Sequence, residues 1–104
     1  MAVLLAEYKV RDLDAFRRVV AEFADVRKEF GATGHRLMSS PDDPAIVALV
    51  VEFASLADAR AFSLEPRRIE ALSRASAIER ADLVFEQDRD RHLLTRPTSR
   101  MASA

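Results

Sequence analysis

The chain has no cysteine, no tryptophan and no asparagine among its 104 residues, and only two glycines. Without thiols there can be no disulfide framework, thiolate zinc site or cysteine nucleophile. Its two histidines, His35 and His92, are far apart and its carboxylates scattered, so no metal site is expected. Glycine-rich phosphate loops and serine-nucleophile elbows are also missing, and no cofactor is implied. No apolar run approaches the length of a membrane span. Val3-Leu4-Leu5-Ala6 is too short for a secretory signal and lacks a basic leader. Neither charge sign dominates: 17 acidic residues face 16 basic ones, which gives no strong field toward nucleic acid or anionic membrane. A cytoplasmic protein is the expectation. The charge is nevertheless uneven, because residues 89–104 carry four Arg and one Asp. A single domain over residues 1–88, followed by a flexible, polar and basic arm over 89–104, is expected.

What is present is strongly patterned. Ala2 to Val10 reads as a first strand. Asp12 can cap the helix that follows, which carries Phe16, Val19, Val20, Phe23, Val26 and Phe30 as an apolar stripe at helical spacing. Gly31 and Gly34 punctuate its end. His35 to Ser40 forms a short second strand, and Ser40-Pro41-Asp42-Asp43-Pro44 is turn chemistry joining it to a third. Ser55 with Asp58 resembles a capping box, and Pro66 divides the second helix, whose expected buried side is Leu56, Ala59, Phe62, Ile69 and Leu72. Ala81 to Glu86 supplies a fourth strand. Strand, helix, strand, strand, helix, strand is the split β-α-β order. It predicts an α+β, ferredoxin-like fold: an antiparallel sheet ordered 4-1-3-2 with two helices on one face.

The third strand, Ile46-Val47-Ala48-Leu49-Val50-Val51-Glu52-Phe53, is apolar on both of its faces. A strand wetted on one side alternates apolar with polar residues, and this one does not until Glu52. Helices on one face leave the other bare. Leaving such a face wet forfeits roughly 25 cal/mol per Å². A second copy of the chain, docked sheet to sheet, is the expected partner.

On these elements the chain resembles the dimeric α+β barrel superfamily, and within it the small antibiotic-biosynthesis-monooxygenase-like proteins. The likeness covers residues 2 to 88. It rests on Tyr8-Lys9-Val10 before Asp12-Leu13-Asp14-Ala15-Phe16, and on Arg27-Lys28-Glu29-Phe30-Gly31. It continues through Gly34-His35-Arg36-Leu37, the Asp42-Asp43-Pro44 turn, Val50-Val51-Glu52-Phe53 and Ala57-Asp58-Ala59-Arg60-Ala61-Phe62. The resemblance implies a homodimeric barrel with a pocket between each sheet and its helices, which in enzymatic relatives holds polycyclic aromatics, haem or small lactones. The haem-degrading branch uses an Asn-Trp-His set, and the cofactor-free oxygenases also lean on Asn and Trp. This chain contains neither residue type.

Four residues are candidates for chemistry. His35 and Glu52 end neighbouring strands; if the hairpin pairs them directly, their Cβ atoms lie about 5 Å apart on one face and form a candidate acid–base pair. A one-residue slip would send them to opposite faces. Arg27 falls within the apolar helical stripe and could hold an anionic substrate, or could snorkel outward instead. Tyr8 could donate a hydrogen bond to a ligand, or be a core residue with its hydroxyl at the sheet's end. Arg67-Arg68 reads as a solvated helix face. Three functions compete: a dimer binding an apolar or aromatic small molecule, a cofactor-independent monooxygenase, cyclase or isomerase, and a purely structural interaction module. A cavity where polar groups converge would favour the first two. A helix–sheet gap filled by Phe16, Phe23, Phe62 and Leu72 would favour the third.

Overall fold

The computed structural model describes residues 1–86; the basic arm over 89–104 and the last two residues of the expected domain lie outside the described residues. Strand β1 (Ala2–Val10) runs into α1 (Leu13–Glu22), whose N-terminus is capped as the sequence implied. The Asp12 carboxylate accepts the Ala15 N–H at 3.1 Å. The apolar stripe does not continue as one helix. Phe23 leaves helical geometry, and α2 (Ala24–Glu29) starts beyond it. Two strands follow, β2 (Ala32–Ser39) and β3 (Ile46–Phe53), then α3 (Leu56–Ser63) and α4 (Pro66–Arg74), and finally β4 (Ala77–Glu86). Ser55 caps α3 by accepting the Asp58 N–H at 3.1 Å, and Pro66 opens α4 in its first turn, where a missing N–H costs nothing. β2 and β4 both begin earlier than the pattern suggested, because pairing with a neighbour carries their polar ends into the sheet.

The four strands are antiparallel in the order β2-β3-β1-β4, which is 4-1-3-2 read from the other edge. Helices cover the face bearing Leu4, Ala6, Tyr8 and Val10 of β1 and Val47, Leu49, Val51 and Phe53 of β3. The other face has no helix on it. There Val3, Leu5, Ile46, Ala48 and Val50 run down the centre, flanked by Met38, Ile78, Leu83 and Phe85, which are 45%, 67%, 49% and 51% exposed. Polar groups interrupt this face: Arg36, Glu52 and Lys9, and Glu7, opposite Ala48 on the central strands, which pairs with Arg80 at 3.2 Å.

Two local irregularities decide what faces what. The β2–β3 hairpin is centred on Asp43: Ser40 Oγ accepts the Asp42 and Asp43 N–H groups, and the Asp43 carbonyl accepts from Ile46. That centring places His35 opposite Val51 and Gly34 opposite Glu52. On the other side of the sheet, β4 bulges against β1 between Glu7 and Tyr8, with Arg80 as the extra residue. Without the bulge Glu79 and Asp82, three apart, would point to opposite faces. With it, Glu79 stands opposite Tyr8 and Asp82 opposite Ala6, both on the helix side.

Pro66 restarts the second helix in a new phase. Arg68, Ala71, Leu72 and Ala75 turn inward, while Ile69, expected in the core, is 73% exposed. Among the described residues no helix is long and apolar enough to cross a membrane.

Candidate functional site

Between sheet and helices lies an apolar cavity of about 40 Å³. Leu4 and Tyr8 of β1 and Leu49 of β3 form its floor. Phe16, Val19 and Val20 of α1, with Phe23, Arg27, Phe62, Arg68, Ala71 and Leu72, form its walls. The aromatic residues pack edge-on or tilted, with Phe62 within 5.9 Å of the Phe23, Phe30 and Phe53 ring centres. They reduce the gap to space for a few water-sized groups.

Three polar side chains reach this apolar space from three different elements. Tyr8 is 2% exposed and Arg68 7%. Arg68 Nη2 donates to the Tyr8 hydroxyl oxygen at 3.0 Å and to Asp82 Oδ1 at 3.1 Å, while its Nη1 donates to the Ser63 carbonyl at 2.6 Å. Glu79 lies 3.5 Å from the same guanidinium, and the Ser63 hydroxyl donates to Asp82 Oδ2 at 2.6 Å. The guanidinium also lies 5.4 Å from the Phe62 ring centre. Arg68 thus gives its one positive charge to two carboxylates that the bulge has turned to the helix side, Asp82 the more buried of them. The expected solvated Arg67-Arg68 face holds only for Arg67, which pairs with Glu29 and Glu65 at the surface. A proline-shifted helical phase and a bulge together brought Arg68 inside, and the one signal in the sequence was its three-residue spacing from Ala71.

Burial raises the Tyr8 pKa above the ordinary tyrosine value, with Arg68 opposing that rise. Tyr8 is the chain's sole tyrosine and there is no tryptophan, so phenolate absorbance reports this one group. Its titration midpoint is expected above about 10, the unperturbed value. Arg68→Met should move it further up, since a cation and a hydrogen-bond donor to the oxygen are removed. The folded state prefers the neutral phenol, so the stability this confers is lost as pH rises from the unfolded value through the folded one. A midpoint at the ordinary value in the native protein would place Tyr8 in water.

Arg27, also in the cavity lining, is 5% exposed, and its Nη1 donates to the Val20 carbonyl at 2.7 Å. The break at Phe23 frees that carbonyl near the end of α1, and the guanidinium caps it. Burial pushes the Arg27 pKa below the usual arginine value, though an arginine remains charged at any physiological pH. Arg27 also lines an outer groove of about 260 Å³ with Asp25, Lys28, Thr33 and His35.

His35 and Glu52 are not brought together. His35 faces the helix side at the exposed edge strand, in that outer groove, whereas Glu52 lies on the bare face with its carboxylate across Gly34. At Gly34 a Cβ would come within 3.0 Å of Glu52 Oε1. The cause is the hairpin's centring on Asp43, one step from the register that would have paired them. Partial burial, helped by the Arg27 charge, holds the His35 imidazole below its ordinary pKa. Proton NMR should show His35 titrating below about 6.5, the unperturbed value, and Arg27→Met should move it upward. An unchanged midpoint in that variant would separate the two residues in solution. Among the described residues no three His, Asp or Glu side chains are grouped to hold a metal.

No protein-family model matches the sequence, and no curated protein is similar to it in sequence. Solved structures do share its fold. A candidate antibiotic biosynthesis monooxygenase from Deinococcus radiodurans superposes with a TM-score of 0.68 at 12% identity, over 89% of this chain and 98% of that one. SnoaB, a cofactor-independent oxygenase from Streptomyces nogalater, gives 0.68 at 13% identity, over 85% and 93%. HapK from Hahella chejuensis gives 0.64 at 16%, over 89% and 98%. Four antiparallel strands in this order, helices on one face and a bare apolar face on the other thus make the chain a ferredoxin-like protein with the fold of the antibiotic-biosynthesis-monooxygenase-like structures.

Proposed function

We propose that the protein is a small homodimer, joined through the bare faces of its sheets, that binds an apolar or aromatic molecule between sheet and helices. The observation that carries the ligand reading is the convergence of Tyr8, Arg27 and Arg68, from three elements, on one apolar cavity. Tyr8 and Arg27 are the ligand-contacting residues in this reading. Cavities of roughly 150 Å³ are needed to take benzene, so a ligand enters only when the walls move. Phe23, Val19 and Leu72, partly buried at the outer wall, are the side chains to yield.

The cavity's small size favours a second reading, the purely structural module, in which the dimer itself is the function. A cofactor-independent monooxygenase, cyclase or isomerase takes no support from His35 and Glu52, which occupy opposite faces of the sheet. Native mass spectrometry of the purified protein separates the first two readings. A mass of twice the 11.6 kDa chain plus a bound small molecule is the expected result. A bare dimer whose Tyr8 ring signals also ignore a panel of aromatic compounds leaves the structural module.

A further inference from the structure

The cavity wall contains a cation that no carboxylate neutralises among the described residues. Arg27 is 95% withdrawn from water, yet its one hydrogen bond goes to a neutral carbonyl and uses one of five N–H donors. Arg68, also buried, has Asp82 and Glu79 beside it. An unpaired buried charge is costly, and a dipole only partly offsets it. Arg27 lines both the inner cavity and the outer groove. Lys28 and His35 line that groove with Arg27, and Asp25 is its one acid. The Tyr8 oxygen accepts from Arg68, and its own O–H makes no hydrogen bond among the described residues. That proton is free to be offered to a ligand.

We infer that the ligand is an organic anion with a compact apolar ring, its charged oxygen held by Arg27 and a second oxygen accepting from Tyr8. This rests on the cavity-binding reading above and adds the ligand's charge and polarity. The anion supplies the counter-charge that Arg27 lacks, and a charge-assisted hydrogen bond in a dry cavity is strong. A neutral ring leaves that charge unpaired and gains only its own burial. Positioning falls to Arg68, which occupies the Tyr8 lone pair and so directs the hydroxyl proton away from itself.

The test titrates the purified full-length protein with benzoate and benzamide, followed by calorimetry and by the Tyr8 ring signals in NMR. The carboxylate is expected to bind at least ~10-fold more tightly than the isosteric amide, a difference of about 1.4 kcal/mol. In Arg27→Met the preference for the carboxylate over the amide should vanish, and Arg27→Lys should restore part of it. Equal affinities in the native protein, or a preference that survives Arg27→Met, overturn the anion and leave the cavity reading standing. No shift of the Tyr8 ring with either compound overturns both. The native ratio decides even if Arg27→Met does not fold.

Discussion

Arg68→Met is expected to cost about 3–5 kcal/mol of folding stability, the range for removing one partner of a buried ionic cluster. The methionine fills much of the volume but leaves Asp82 and the more exposed Glu79 on one side of the sheet without a cation between them. The Ser63 carbonyl and the Tyr8 hydroxyl lose their donor as well. Small domains hold roughly 5–15 kcal/mol in all, so urea denaturation should show a midpoint shift of a large fraction of the whole. Arg67→Met, one residue away, should sit close to the native protein, because Arg67 and its Glu29 partner are at the surface. Equal effects of the two substitutions would mean that the inward cluster is not formed in solution. Arg68→Lys should rescue little, since a single ammonium cannot reach Tyr8, Asp82 and the Ser63 carbonyl together.

In the proposed sheet-to-sheet dimer, Leu83→Glu should separate the two copies. Leu83 lies on the edge strand β4 and flanks the centre of the bare face, across from Leu5 and one pair from Phe85 and Val3. In a two-fold dimer one substitution places a charge on each side of the interface. Burying each without a partner costs several kcal/mol, so the dimer dissociation constant should rise by at least ~100-fold. Sedimentation velocity at micromolar concentration reads this directly. Far-UV circular dichroism should be unchanged, because the helix-covered core does not include Leu83. A native protein that already sediments as an 11.6 kDa particle would remove the reason for the substitution and the dimer with it.

Much of the architecture was legible because it depends on local chemistry. Asp12 and Ser55 cap helices wherever the chain runs, since the bond spans three residues. The first strand's alternation and the third strand's two apolar faces named the core set and its opposite without knowledge of which would meet the helices. The break at Phe23 was not legible: the apolar spacing from Phe16 to Phe30 fits one helix as well as two. Tyr8 and Arg27 were found as candidates because a polar group set within an apolar pattern is visible in one dimension. Their meeting at one cavity was not.

The site divides along the same line. Composition and periodicity by themselves fixed the ferredoxin-like order, the central place of the first and third strands and the absence of thiol chemistry. Only the folded chain decided that Arg68 points inward, that Glu79 and Asp82 share a face, and that His35 and Glu52 do not. Each of those outcomes turns on a shift of a single residue: a bulge at Arg80, a hairpin centred on Asp43, a helix restarted at Pro66. A strand's faces alternate with every residue and a helix turns by about 100° per residue. One step therefore exchanges inside for outside, and which step is taken depends on packing among distant parts of the chain.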